Sequence, residues 1–466
     1  MDKKEKTKFL ETMLNRYHAC RDNQTLLRQE ALDDLKFKHG EQWSESVKVE
    51  RENEARPMVT INRAGALINR VVNEMLQNRP SVKVRPVDSL TDPITADVIG
   101  GLIRHILNNG DSRTAFDNAC DYMVSCGFGY FRIVTDYCEN ENITAKNFDH
   151  QEIRIERIEN PFSVYFPIHL ITKPDYSDAP YCFIRKKISK EEFNRRWPKL
   201  SEKYESFLQG GNGDADWITE DGIYIAEYFD VEYTESEIYL LPDGTTSETI
   251  PEGITSLKSR TTTKQTVNWY LVSQFDILDE NEWIGDTIPI IPMIGQELNV
   301  NGRKHLISLM RYLKEPSKMY NFWYTAITEQ ISNAPKSPWL VAEGQIEDYK
   351  DEFWSKANKK NLPYLPYKAT FENGSLVPPP QRIQPVAIDQ TLITALQISS
   401  EGLKDASGIS DAAMGQPTNS FPTSYLYTNT LYRYRKNYFT SEPTFLRRIR
   451  RSDDIPSARR PRTPSP

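Results

Sequence analysis

The sequence is poor in several things, and each shortage removes a class of protein. Its five cysteines (Cys20, Cys120, Cys126, Cys138, Cys182) are odd in number and form no CxxC pair. Neither a disulfide framework nor a zinc site is expected, and a reducing, cytosolic setting is implied. No apolar run approaches the roughly 18 residues that a membrane-spanning helix needs. Met1-Asp-Lys-Lys-Glu-Lys is charged where a signal peptide would be apolar. There is no GxxxxGK[ST] loop, and Gly210-Gly211-Asn212-Gly213-Asp214 fails GxGxxG and reads as a turn. Asp214, Asp216, Glu220 and Asp221 lack EF-hand spacing and read as a solvated loop. The six histidines (His18, His39, His105, His150, His169, His305) include no HExxH or other close pair, and no GxSxG elbow exists. No unit repeats along the chain. No enzyme chemistry, metal or cofactor is expected.

What is present fits a globular chain of 466 residues, 38% hydrophobic and 26% charged, long enough for about three domains. The net charge of −7 is unevenly spread. From Leu431 to Pro466 there are ten Lys/Arg against three acids; the rest has 48 against 62, a net of −14. An acidic body disfavours tight wrapping of nucleic acid but leaves room for a passage that does not grip the polymer.

The first 110 or so residues read as helical. Leu10, Met13, Leu14 and Tyr17, then Leu26, Leu27, Ala31 and Leu35, form stripes that stop at Gly40, with Trp43 anchoring the loop beyond. Arg56 to Arg63 reads as an extended entry to a helix carrying Leu67, Ile68, Val71, Val72 and Met75. Ser81–Val87 alternates as a strand, and Asp92-Pro93 opens another helix. From about 111 to 300 the pattern is mixed, then β-rich. A helix ends at Cys126-Gly127-Phe128-Gly129, and strands follow at 130–135, 153–158 and 164–166. Ser189 and Glu192 form a capping box, and strands recur at 223–233, 237–241 and 267–275.

Around Asn301 to Gly415 the pattern becomes long-helical. One arm spans Arg303 to Asn333, with Leu306, Leu309, Met310, Leu313, Tyr320, Tyr324, Ile327 and Ile331 at helical spacing and a kink expected at Pro316. A second arm spans about Ala387 to Lys404, with Ile388, Leu392, Ala395, Leu396 and Leu403 on one face. Its polar side carries Gln390, Thr394, Gln397, Glu401 and Lys404. Between the arms lies an insert, Pro335 to Pro385. A strand is expected at 339–341, a helix at 346–354 and a strand at 362–367. Trp339, Tyr349, Phe353, Trp354, Tyr364 and Tyr367 are dense for its size, fitting either a small core or an interface. An ordinary helical hairpin in a globular core competes with a two-helix stalk.

A series of segments resembles phage portal proteins of the short-tailed type. They are Lys38–Trp43, Arg56-Pro57 to Asn62, Asn73-Glu74-Met75 to Arg79-Pro80 with Val84-Arg85-Pro86, and Ile158–Tyr165 with Ser177-Asp178-Ala179. Lys314–Asn321, Pro335–Pro338 and Gly408–Gly415 follow in the same order, so the resemblance covers about 25–415. It implies an α+β fold: a mixed helical and β wing body (1–300), a first stem helix kinked at Pro316 (301–334), an α/β clip lobe (335–385) and a second stem helix (386–415). It implies a ring of about twelve copies around a channel at one capsid vertex. Double-stranded DNA would pass without sequence specificity past Gln390, Thr394, Gln397, Glu401 and Lys404. The clip aromatics would meet the terminase motor and later a tail adaptor, with scaffolding and capsid proteins as further partners and no membrane. Such a protein is made in the bacterial cytoplasm and ends in the virion.

Past Gly415 the resemblance stops. Residues 416–466 are basic and Pro-rich, and a truncated or frame-shifted end, as in a decaying prophage, competes with a disordered basic arm. A non-assembling remnant, or an enzyme or peptide binder using the aromatic lobe, are the alternatives to a working ring subunit.

Overall fold

The protein was described from a computed structural model, which defines residues 3–77, 82–85, 93–108, 110–137, 151–198, 200, 216–219, 222–240, 246–247, 258–333, 339–357, 360–372, 374–383 and 389–408. Helix and sheet are mixed, and the chain divides into two compact units. Among the described residues, the first holds those up to Glu41, those within Asn62–Lys314 and 405–408; the second holds those within Gln42–Ile61 and Glu315–Lys404. Among the described residues no helix is long and apolar enough to cross a membrane.

The first unit begins with α1 (Lys3–His39). It stops at Gly40, at φ +113°, where a side chain would be strained. The Gly40 N–H donates to Phe37 O (3.1 Å) and the Glu41 N–H to Lys36 O (3.0 Å), a Schellman closure that satisfies the terminal carbonyls. The buried face of α1 is Met13, Tyr17, Cys20, Gln24, Ala31, Asp34 and Phe37. Leu26, expected in that stripe, is 62% exposed, because Gln24 and Arg28 occupy the face instead. Gln24 donates to Phe166 O, and Arg28 donates to Phe162 O (2.6 Å) and Val164 O. These bonds tie α1 to the turn Pro161–Ser163, itself capped by Asn160 Oδ1 accepting from the Phe162 N–H at 2.9 Å.

Helices α2 (Glu45–Asn53), α3 (Arg63–Gln77), α4 (Pro93–Asn108) and α5 (Gly110–Cys126) follow. Pro93 stands at the helix start, where its missing N–H costs nothing. The strand expected at 81–87 is not found: 82–85 join no ladder, and the rest lies outside the described residues. A three-stranded antiparallel sheet runs β10 (Ile290–Ile294), β1 (Phe128–Tyr137), β2 (Gln151–Arg157). A larger sheet orders β3 (Val164–Tyr165), β4 (Tyr181–Ile188), β6 (Gly222–Leu240), β8 (Lys258–Val272) and β9 (Ile277–Trp283), with β5 (Ile218–Thr219) and β7 (Thr246–Ser247) beside β6. The strands expected at 223–233 and 237–241 are one strand. Ser189 caps α6 (Lys190–Arg196), accepting from the Glu192 N–H at 3.2 Å. Asp216, expected in a solvated loop, pairs with Arg21; its acidic neighbours lie outside the described residues. Among the described residues Cys20, Cys120, Cys126 and Cys182 are buried and form no disulfide. Burial pushes the Cys126 thiol up to about 12, out of nucleophilic range.

The sharpest sequence misreading is at the start of the first arm. Arg303–Ile307 is a strand, β12, paired with β11 (Gln296–Val300). Asn301 and Gly302 both have positive φ (52° and 78°), the two-residue turn that Asn-Gly favours between strands. Helix α7 therefore starts at Leu309 and runs to Asn333, unbroken through Pro316. Ser308 Oγ accepts from the Arg311 N–H (3.1 Å) and donates to Asp34 Oδ2 (2.7 Å). Asp34 is wholly buried at the end of α1 and also meets Arg311 Nη2 (3.1 Å) and Lys314 Nζ (2.6 Å).

Close approach of backbones explains the Cys126–Gly129 turn. A Cβ on Gly129 would lie 2.2 Å from Ala119 O, on the backbone of α5. We expect Gly129→Ala to lower the denaturant midpoint by the equivalent of about 1–3 kcal/mol or more, since α5 must move off β1. Gly101→Ala, in α4 with open space around it, should raise stability by roughly 0.5–1 kcal/mol.

Candidate functional site

The second unit is built on α7 from Glu315 onward. Ser317, Asn321, Thr325 and Glu329 recur every fourth residue and so form one row on the helix. Ser317, Asn321 and Thr325 are buried. Against the row lies the extended segment 57–61, whose backbone would otherwise go unsatisfied. The Ile61 N–H donates to Asn321 Oδ1 (3.0 Å), and the Val59 N–H to Thr325 Oγ1 (3.2 Å). Asn321 Nδ2 donates to Gln42 Oε1, and Thr325 Oγ1 lies 3.3 Å from Val59 O. Farther along, Arg56 Nε donates to Glu329 Oε1 (2.8 Å), with Arg51 Nη1 3.4 Å from Oε2. The Arg56 guanidinium holds the Glu329 carboxyl below the usual carboxylate range. Trp43 anchors the loop as expected, its Nε1 donating to Thr60 Oγ1 at 3.0 Å. Segment 42–61, expected in the body, thus belongs with α7.

The outer flank of α7 has the opposite character. Tyr312, Met319 and Phe322 lie on one row and are exposed, Met319 by 56%. Tyr324 and Ile331, seven residues apart, are exposed on a second row. Helix α8 (Gln390–Ser407) is N-capped by Asp389, whose Oδ1 accepts from the Thr391 N–H at 2.9 Å. Gln390, Thr394, Gln397 and Glu401 share one exposed face of α8; Lys404, on the same row, is half-buried. Ile398, 63% exposed, borders that face. Among the described residues α7 and α8 are not packed along each other, as either an ordinary hairpin or an antiparallel two-helix stalk would have them.

The insert folds around polar bonds and aromatic edges. Trp339 and Leu340 pair with Arg382 and Gln381, and Phe371-Glu372 pairs with Ser375-Leu376. Buried Gln345 accepts from the Ala342 N–H (3.1 Å) and donates to Pro378 O (3.0 Å). The rings of Trp339 and Trp354 meet edge to face at 5.3 Å, and Trp354 Nε1 donates to Pro366 O at 2.8 Å. Tyr349 and Phe353 are half-buried, while Tyr364 and Tyr367 are exposed, Tyr364 by 65%. The helix expected at 346–354 is instead a pair of 3-10 turns, Glu347–Tyr349 and Trp354–Lys356. The strand expected at 362–367 does not form, because Pro363 and Pro366 remove two ladder donors. Among the described residues no group of His, Cys, Asp or Glu could hold a metal ion.

The sequence profile of the Phage P22-like portal protein family matches residues 14–424. The portal protein of Acyrthosiphon pisum secondary endosymbiont phage 1 is 24% identical over 436 residues, 88% of this chain and 60% of that protein. The chain thus spans about 60% of the length of this curated relative. The family is structural, so the enzyme alternative falls away.

Asn321→Ala should cost about 1–3 kcal/mol, since it strands the Ile61 N–H. Hydrogen exchange should show that amide opening while the Val59 amide stays protected by Thr325. The Glu329 contribution is present above its ordinary range, near about 4.3, and is lost as pH falls through its lowered folded value. Exchange across 56–61, corrected for intrinsic rate, should therefore rise on acidification, and Glu329→Gln should abolish that dependence.

Proposed function

Since the chain belongs to the P22-like portal protein family, we propose that it closes into a ring at one capsid vertex, around a channel that DNA crosses in packaging and ejection. The observation that carries this reading beyond membership is the outer flank of α7. Its inward row is polar and already engaged by segment 57–61, while Met319 and Phe322 face out. Large apolar side chains in a row call for cover, and neighbouring copies in a ring supply it.

In this reading α7 from Glu315 and α8 are the stem, residues 339–383 the clip, and the first unit the wing. The α8 row Gln390, Thr394, Gln397, Glu401 and Lys404 lines the channel. Three uncharged side chains with one acid and one base neutralise few phosphates, so the wall lets duplex DNA slide. Trp339, Tyr349, Phe353, Trp354, Tyr364 and Tyr367 serve the clip, inside its core or at contacts with the terminase and the tail adaptor. Scaffolding and capsid proteins meet the wing.

Sedimentation velocity with negative-stain imaging tests the reading. Rings are expected from the unaltered chain. Met319→Glu with Phe322→Glu should leave only monomer, with the denaturant midpoint moved by no more than the equivalent of about 0.5 kcal/mol. A folded chain that stays monomeric at every concentration reached would overturn the proposal.

A further inference from the structure

One part of the first unit has no task in that reading. Strands β6 and β8 remain paired from Ala226↔Val272 out to Leu240↔Lys258. Strand β4 accompanies β6 only as far as Asp230, and β9 accompanies β8 only from Val267. Over Glu232–Leu240 and Lys258–Thr266 the described structure is thus a two-stranded ribbon, with β7 touching only Tyr239 and Leu240. Tyr233 is 55% exposed, and Thr234, Glu235, Glu237, Lys258, Arg260, Thr261, Thr263 and Lys264 are exposed as well. Such a ribbon is marginal in water unless something covers it.

The register sorts its charges. Side chains alternate between faces, and directly opposed residues share one. Arg260 opposes Ile238, Lys258 opposes Leu240 and Lys264 opposes Thr234, so all three bases lie on one face, which carries a single acid, Glu232 opposite Thr266, at the foot of the ribbon. Glu235 opposes Thr263 and Glu237 opposes Thr261, so these two acids lie on the other, with Tyr233 and Tyr239. The Tyr239 hydroxyl donates to Glu237 Oε2 at 2.7 Å along that face. One arm therefore carries a basic face and an acidic face.

We propose that this arm is a clasp between copies of the chain, the basic face of one copy lying on the acidic face of the next. The inference rests on the ring reading. Opposite, complementary faces on one element make a head-to-tail contact, the type that closes rings. Opposed charges set its register and speed encounter. A nucleic acid on the basic face would leave Glu235, Glu237 and Tyr233 uncovered, and the acidic body repels it.

The test uses two full-length variants, Glu235→Lys with Glu237→Lys, and Lys258→Glu with Arg260→Glu. All four positions are exposed and none opposes another charged residue in the ribbon, so each monomer should fold normally. Alone, each should need about tenfold or more protein to reach half assembly in sedimentation velocity, since like charges now meet. Mixed in equal amounts, they should recover ring formation, because each reversed face meets its complement. Raising salt should weaken the unaltered ring and the mixed ring alike. If unaltered chains form rings and both variants assemble as well as they do, the clasp is refuted and the ring reading stands. If unaltered chains form no rings, the ring reading itself fails. The clasp is also refuted if only the Lys258→Glu, Arg260→Glu variant loses affinity for a random-sequence duplex DNA while assembling normally.

Discussion

A carboxylate with no access to water must be matched by donors or cations, and Asp34 sets that demand at the end of α1. Ser308, Arg311 and Lys314 answer it from the residues that begin α7. The same Ser308 caps α7, so the hydroxyl that fixes the helix start also fixes where that start lies against α1. Lys38 extends the fixture to α5 by pairing with Asp121 at 2.6 Å. Three elements distant in sequence are therefore held by charge and hydrogen bonding rather than by apolar contact alone. Removing any one partner leaves the others with uncompensated buried polarity.

Helix α7 repeats this logic in the second unit and inverts the ordinary amphipathic plan. Its polar row serves as the backbone partner of an extended strip, while Leu309, Met310, Leu313 and Tyr320 are buried and Met319, Phe322 and Ile331 are left outward. Two segments that carried the portal resemblance, Arg56–Asn62 and Lys314–Asn321, turn out to be hydrogen-bonded to each other. Their residue types follow from that bond: an amide at 321 serves Gln42 and Ile61 together, which a hydroxyl at that position could not span.

Features with local causes were legible from residues alone. Gly40 as a stop, Ser189 as a cap, and the α5 to β1 junction at Gly127 all follow from short-range chemistry. Gln390, Thr394, Gln397 and Glu401 are exposed on α8, as a polar helix face should be. Misreadings came where two periods coincide or where partners are remote. Leu306, Leu309 and Leu313 fit a helix, yet Asn301-Gly302 demands a hairpin, and local turn chemistry prevailed. The row 317, 321, 325, 329 was invisible because apolar periodicity is blind to a polar stripe. Leu26 was misplaced for the same reason, since Gln24 and Arg28 hold the buried side of α1.

Helix α1 has a consequence for how the chain is made. It is synthesised before its partners Phe162 to Phe166, Tyr228 and Ser308 to Lys314, which come long after it. At roughly 5–20 residues per second, the last of these arrive about 15–55 s after α1 is complete. A helix left waiting with a continuous apolar stripe would invite aggregation. The Arg16, Gln24, Arg28 and Asp34 side chains break up that stripe until the partners they bond in the finished fold have been made.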